Sequence, residues 1–482
     1  MNFEDYTFGF ADADKEFSRI DNYFNEIFFD PKGHLTKLLT GWEFLVVGRK
    51  GVGKSAYSAK LRSMQSSNLY TEYLPLNEFE YSTFEKTSTD KNITGTQKFK
   101  DSWDFVLLCL IYKTLVNALD ITEVESVNNV LSILKKLGFP LEFDYKQVVT
   151  SLSKLKLGAN LSVFDVAYEK EFGVKPITYI ERISALSELM MRSLENIYLG
   201  DKKIYLLLDG VDDVLRFKKN RIEILSSLVR SVDYLNSKLS GMKVAIKIVL
   251  FIRDDVLFLI NDTDINKVKR DSSLKIDWTK NTDDLKEMVI LRMIFSGDNR
   301  EQAESALSLM FPHVIKDIDS WKYILGLTLY KPRDIIQFFK CCQELYPQKN
   351  SLTYSEINEV SKYYSNQYFM GEMKNELAGF VIDEVIAALP IVFKKIYTKS
   401  FSCGEFFTAL SEQLASTNYT IEDAKYLLSL LYESGYIGQI IVTSRNWKGS
   451  VQFKHRNPTS MIDYNYNFLI HKGLSIGLGL RK

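Results

Sequence analysis

The chain has 482 residues, of which 46% are apolar, with only 9 Pro and 24 Gly. That length exceeds one ordinary domain, and that composition excludes a disordered or low-complexity chain. Its 61 basic residues cancel its 61 acidic ones, which excludes a nucleic-acid-like charge excess over the whole molecule and leaves only a local basic face open.

The start, Met1-Asn2-Phe3-Glu4-Asp5-Tyr6, has neither a basic nor an apolar leader region, which predicts no signal peptide. Residues 11–29 place Phe17, Ile20, Tyr23, Phe24 and Ile27 on one face of an amphipathic helix. The apolar run Phe44-Leu45-Val46-Val47 predicts the first strand. It leads into Gly48-Arg49-Lys50-Gly51-Val52-Gly53-Lys54-Ser55, and Ala56 continues into a helix-compatible run. Strand, glycine loop and helix start are the context a phosphate-binding loop requires. Glycines let the backbone approach a phosphate where a Cβ would block it, and the N–H groups at the helix start favour an anion. Lys54 is placed to reach the β- and γ-phosphates, and the Ser55 hydroxyl to ligate Mg²⁺.

Residues 70–76 predict a second strand, with Pro75 at its end or on an edge. A polar loop over 77–98 follows. Residues 100–200 are mostly helical in pattern, clearest over 103–119 and 177–198, with a short strand pair over 155–164. This block reads as an insertion whose role is not legible in its residues. The apolar run 105–119 is interrupted by Lys113 and too short to cross a bilayer, so no membrane association is expected. Cys109, Cys341, Cys342 and Cys403 lack metal-site or disulfide spacing and read as buried residues in a reducing cytoplasm.

The apolar run Lys203-Ile204-Tyr205-Leu206-Leu207-Leu208-Asp209 predicts a strand buried on both faces. A helix over 221–239 and a strand over 244–252 follow. Strands alternating with helices predict a parallel α/β sheet. Asp209 stands at the carboxyl end of its strand, where such sheets bind ligands, and fits the Walker B role of holding Mg²⁺ directly or through water. Gly210 follows it, so no glutamate stands next to the metal aspartate. Asp212 and Asp213 are candidates to orient or deprotonate the attacking water. Val249-Leu250-Phe251-Ile252-Arg253-Asp254-Asp255 ends a second buried strand in charge; Arg253 either senses the γ-phosphate or pairs with a carboxylate such as Asp209.

Beyond Trp278 the pattern is helical to about 364. In Tyr330-Lys331-Pro332-Arg333-Asp334, Pro332 takes the first helical position and puts Arg333 in the first turn. The helix dipole disfavours a cation there, so either an anion such as a phosphate lies nearby or Arg333 pairs with Asp334 or another carboxylate. Residues 376–482 give three helical stretches. A hairpin over 436–443 and 450–455, turning around Asn446-Trp447-Lys448-Gly449, completes a winged-helix pattern. Arg445, Lys448, Lys454, His455 and Arg456, with Trp447, are candidates to touch DNA phosphates. The preceding Ile421-Glu422-Asp423-Ala424-Lys425-Tyr426-Leu427-Leu428 is acidic and apolar and a poor groove reader, so packing within the molecule is the better reading. His471 reads as a core or capping histidine.

The order of phosphate loop, Asp-Gly-x-Asp-Asp, strand ending in Arg, Pro-Arg-Asp helix and winged helix resembles the AAA+ and STAND branches of P-loop ATPases. The loop Gly48 to Ala56, with Lys454-His455-Arg456 and His471-Lys472-Gly473-Leu474, also resembles bacterial P-loop ATPases of phage-defence and mobile-element contexts. By that resemblance Asp213 takes the catalytic-acid position, Arg333 the sensor-2 position of a helical lid, and Arg253 the sensor-1 position. The implied organisation is a P-loop core over 1–275 with its helical insertion over about 100–200, a helical lid over 276–370 and a winged-helix-like domain over 371–482. The implied activity is a cytoplasmic, Mg²⁺-dependent ATPase acting as an ATP-driven switch, with a protein partner or self-assembly. Arg270 and Arg292 are candidates for an arginine acting in trans. A DNA-binding ATPase of initiator or loader type, and a non-hydrolysing ATP-bound scaffold, are the alternatives.

Overall fold

The structure is a computed structural model. It describes every residue except 20, 67, 89–96, 120–123, 140–143, 157–165, 167–168, 170–172, 174–177, 196, 212–219, 243–244, 261, 415–418, 444–445 and 481–482. The chain divides into two compact units: residues 32–50 with 54–276, and residues 1–31 with 51–53 and 277–482.

The first unit is an α/β domain. Its strands are β1 (Leu45–Gly48), β2 (Leu69–Pro75), β3 (Lys203–Asp209), β4 (Ile246–Arg253) and β5 (Ser273–Lys275). They form one five-stranded sheet in the order β2-β3-β4-β1-β5, and every pairing is parallel. Ile204 to Leu208 are all buried, as a continuous apolar run predicts for a strand covered on both faces. Pro75 closes β2 at its last residue, where its missing N–H costs no ladder bond. Strand β5, three residues long, was not legible; its pairing with β1 comes from backbone, and Ile276 N–H extends it by donating to the Val47 carbonyl at 2.9 Å.

The block between β2 and β3 is not a separate body. Its helix Lys100–Leu119 packs on β2 and β3 and on the helices Tyr179–Leu194 and Asn220–Ser240. Trp103, Leu107 and Leu110 share one core with Leu45, Val47, Leu206, Leu208, Ile248 and Leu250. Those strand residues alternate, so the inserted helices cover one face of the sheet. Buried Trp103 donates its indole N–H to the Ile224 carbonyl at 3.0 Å. The expected strand pair over 155–164 falls mostly outside the described residues, and 155–156 end the helix Tyr145–Lys156.

The second unit holds the lid helices Asp283–Phe295, Arg300–Leu309, Ser320–Leu325, Pro332–Leu345 and Tyr354–Tyr364. A two-stranded ribbon, β6 (Val314–Ile315) and β7 (Ile318–Asp319), interrupts what the pattern predicted as helix alone. A π-helical turn, Ser365–Phe369, joins Tyr354–Tyr364 to Met370–Leu377. Then come helix Asp383–Ile396, β8 (Ser400–Phe401), helices Cys403–Gln413 and Ile421–Ser434, β9 (Ile437–Thr443), β10 (Asn446–Gln452), β11 (Asn467–Ile470) and helix Lys472–Leu478. The strands form an antiparallel sheet in the order β10-β9-β11-β8; β9–β10 is a hairpin as expected, but Asn446 already pairs with Thr443 and β10 ends at Gln452, so the expected turn residues 446–449 lie within the strand.

The expectation that residues 1–31 belong to the core differs from the observed packing. Phe3 and Phe8 pack their rings, tilted, against Phe311 and Phe339, and Gln343 donates to the carbonyls of Phe3 and Tyr6 at 2.8 and 2.7 Å. The amphipathic pattern there serves the lid unit, broken into two helices, Ala13–Arg19 and Asp21–Ile27.

Candidate nucleotide site

β1 is flanked by β4 and β5, and its last residue, Gly48, stands in register with Arg253 at the end of β4. β3, beyond β4, ends in Asp209. Gly48 and Asp209 therefore lie on one carboxyl edge, two strands apart. The carboxyl edge is where an open parallel sheet receives its ligand.

Gly48 leads into the glycine loop, and Lys54 opens the helix Lys54–Ser63, which packs on β1, β3 and β4. Gly51 and Gly53 have φ of +80° and +101°, a region that a Cβ disfavours, so these two positions set the arch of the loop. Lys54 is 6% exposed, and its Nζ donates to the carbonyls of Gly48 and Arg49, both at 3.2 Å. Among the described residues this buried ammonium is held by loop carbonyls, which it is poised to exchange for phosphate oxygens. Ser55 and Ala56 follow in the first helical turn, where backbone N–H groups have no intrahelical acceptor. Val52 lies in the arch, and its carbonyl accepts the Trp278 indole N–H at 2.9 Å. Trp278, invisible to motif reading, is therefore a brace of the loop.

Asp209 is 4% exposed, and its Oδ1 accepts the Gly210 N–H at 2.7 Å. Gly210 has φ +88°, and a Cβ there would meet the Asn77 side chain at 3.0 Å. Asn77 lies just past the end of β2, whose Pro75 pairs with Asp209. The rule that marked Asp209, a polar residue at the carboxyl end of a strand, also marks Asn77. A buried carboxylate and the Ser55 hydroxyl are hard oxygen donors and fit Mg²⁺, which takes few protein ligands and completes its shell with water and phosphate. Among the described residues no cluster of three or more His, Cys, Asp or Glu offers a rival metal site. Asp212 and Asp213 lie outside the described residues.

Arg253 forms a two-pronged pair with Asp255, Nε to Oδ1 at 2.8 Å and Nη2 to Oδ2 at 2.5 Å. Of the two expectations for it, a carboxylate pair is present, with Asp255 as the partner. Arg333 donates from Nε to the Ala11 carbonyl at 3.1 Å, and its Nη1 lies 3.6 Å from Glu372. A Cβ on Gly51 would stand 3.4 Å from the Arg333 Cδ, so this side chain lies against the arch of the loop. Asp334 is not its partner. Asp334 is buried and accepts the Leu329 N–H at 2.8 Å and the Tyr368 hydroxyl at 3.0 Å; burial pushes its carboxyl upward, opposed by Lys331.

The two arginines considered for a role in trans separate sharply. Arg292 is buried, bound to Glu16 at 2.7 and 3.2 Å and to the Phe8 carbonyl at 2.7 Å, so it has no reach to another chain. Arg270 is exposed and pairs with its neighbour Asp271 at 2.8 Å.

Of the basic set near the hairpin, Arg445 and the side chains of Trp447 and Lys448 lie outside what is described. Lys454 and His455 turn inward, whereas Arg456 stays exposed. Lys454 donates to the Ser460 carbonyl at 2.8 Å and pairs with Glu433 at 3.4 Å. Arg456 stacks over Tyr330 and Phe453 at 5.0 and 5.3 Å, and His455 is buried. The helix Ile421–Ser434 exposes Glu422, Asp423 and Glu433. His471 is both core and cap: it stacks on Phe369, and its Nδ1 accepts the Gly473 N–H at 3.1 Å.

Residues 283–370, less than a fifth of the chain, match a family described as the FunZ-associated C-terminal helical domain. No curated protein matches. Three solved structures align along nearly the whole chain. They are Cdc6p from Pyrobaculum aerophilum (12% identity, 96% of this chain and 99% of that one, TM-score 0.32), a Walker-type ATPase of Pyrococcus abyssi (14%, 94% and 95%, 0.36) and the ORC2 protein of Aeropyrum pernix in ADPNP–ADP complexes (12%, 95% and 95%, 0.39). At these scores the likeness is distant. Among the described residues no helix is long and apolar enough to cross a membrane.

Proposed function

We propose that this chain binds ATP with Mg²⁺, hydrolyses it and uses the exchange of ATP for ADP as a conformational switch. The observation that carries the reading is the glycine arch closed by Lys54, with buried Asp209 on the same carboxyl edge. In this reading the N–H groups of Gly51, Val52, Gly53, Ser55 and Ala56 cradle phosphate oxygens, and Gly48 gives the loop room to turn. Lys54 trades its two carbonyl partners for the β- and γ-phosphates. Ser55 and Asp209 hold Mg²⁺, which neutralises charge on the phosphates when bound. Asp213, with Asp212 beside it, orients the attacking water and takes its proton. Arg253 and Arg333 respond to the γ-phosphate, and the lid unit carries that response through Arg333. A near-complete swing between two states requires about 5.5 kcal/mol of differential binding. Self-assembly is part of the reading: exposed Arg270 is the arginine offered to a neighbouring copy. The setting in a defence or regulatory system rests on motif resemblance alone.

The test is ATP turnover of the purified chain beside Asp209→Asn, with particle mass measured in ATP and in ADP. Turnover that disappears in the variant, together with ATP-dependent assembly, is expected. Tight ATP retention without phosphate release in the wild type would instead favour the non-hydrolysing scaffold.

A further inference from the structure

Three side chains of the segment after the lid helices repeat every fourth residue: Tyr368, Glu372 and Glu376. Such spacing puts them on one face. Each meets a residue at the start of the helix Pro332–Leu345. Tyr368 bonds Asp334 at 3.0 Å, Glu372 lies 3.6 Å from Arg333, and Glu376 lies 3.8 Å from Lys331. The π-helical turn Ser365–Phe369 precedes this face and carries Tyr368 itself. Wide turns of this kind recur at functional sites, because they re-aim the side chains that follow.

The three rungs are not equivalent. Asp334 and the Lys331–Glu376 pair are buried, whereas the Arg333 and Glu372 side chains keep about a quarter of their surface, 28% and 22%. The Arg333–Glu372 contact is longer than a charge-assisted hydrogen bond, which runs about 2.7–2.9 Å. Arg333 is thus held loosely by a carboxylate while its Nε stays on the Ala11 carbonyl and its stem lies against Gly51. A cation in the first turn of a helix needs an anion nearby. Here the protein supplies one of its own, and it is the member of the ladder easiest to displace.

We infer that Glu372 is the positioning residue of Arg333: its carboxylate competes with the γ-phosphate for the guanidinium and so sets how strongly the chain distinguishes ATP from ADP. This deepens the ATPase reading and rests on it. When a phosphate takes Arg333, Glu372 is released, while Tyr368 and Glu376 keep their partners. The ladder therefore transmits the exchange through one rung rather than by separating the helices.

The experiment measures affinity of the full chain for fluorescent ATP and ADP analogues in four variants, with a thermal melt of each. Glu372→Gln is expected to tighten ATP about two- to fivefold, the scale of a partly exposed ion pair, and to leave ADP unchanged. Glu372→Asp restores the wild-type ratio. In an Arg333→Ala background, Glu372→Gln adds nothing. Equal shifts for both nucleotides, an undiminished effect without Arg333, or no shift in a folded Glu372→Gln protein each overturns the inference. Failure of the underlying reading shows itself separately: Arg333→Ala alone then leaves the ATP-to-ADP ratio unchanged, and the role of Glu372 falls with it.

Discussion

Glu16 and Arg292 are each under a tenth exposed and neutralise one another through two contacts. Removing one partner strands the other charge away from water, which costs about 3–5 kcal/mol, whereas replacing both by apolar residues costs far less. Arg292→Met is therefore expected to lower the denaturation midpoint strongly, and Glu16→Leu added to it to recover most of the loss; equal damage in single and double variants would contradict this. A titrating group lies in the sheet unit. Burial raises the Asp104 carboxyl from 3.8 to about 6, against the pull of Lys100 2.5 Å away. The folded state then holds the proton more tightly than the unfolded one. Its contribution to stability is full below pH 4, declines as pH rises to about 6 and is flat above. Asp104→Asn should remove that slope in denaturant midpoints measured from pH 4 to 7. In the site, Lys54→Ala is expected to abolish nucleotide binding, and Asp213→Asn to keep binding and lose turnover, read by equilibrium titration and phosphate release. The residues that motif spacing marked are those whose chemistry is fixed by a local loop. Trp278, Glu372 and the Ala11 carbonyl were not legible, because each acts across tens or hundreds of residues on a partner that no spacing announces.

At the scale of elements, periodicity and apolar runs located β1 to β4 and the long helices to within a few residues. Run length explains this: six buried residues in a row, as in β3, admit few other readings. Short pieces escaped. β5 has three residues, and the β6–β7 ribbon two per strand, so neither develops a period. The block after β2 was legible as helices but not as a layer on the sheet, since only tertiary contact tells a covering helix from an added one. The C-terminal helix Lys472–Leu478 shows what small residues do in such a contact. A Cβ at Gly473 would stand 2.4 Å from the Leu327 carbonyl and 2.8 Å from the Phe369 ring. At this position Ser365 also donates its hydroxyl to the Gly473 carbonyl. Gly473→Ala is expected to cost about 1–3 kcal/mol by overpacking, measured as a shift in denaturant midpoint. An unchanged midpoint would mean that the helix docks less tightly than these distances imply.

At the scale of the whole molecule, the two units are assembled from interleaved stretches of chain. The lid unit draws its aromatic core from residues at both ends of the numbering, such as Phe8 against Phe339. Glu16 and Arg292 are 276 positions apart in sequence. Synthesis at about 5–20 residues per second therefore leaves roughly 14–55 s during which Phe3, Tyr6, Phe8 and Glu16 have emerged and their partners have not. Within that interval the sheet unit, residues 32–276, is completed. The first thirty residues thus spend the birth of the protein as an unclaimed apolar ribbon, and whatever shields nascent chains in the cell has its natural client there.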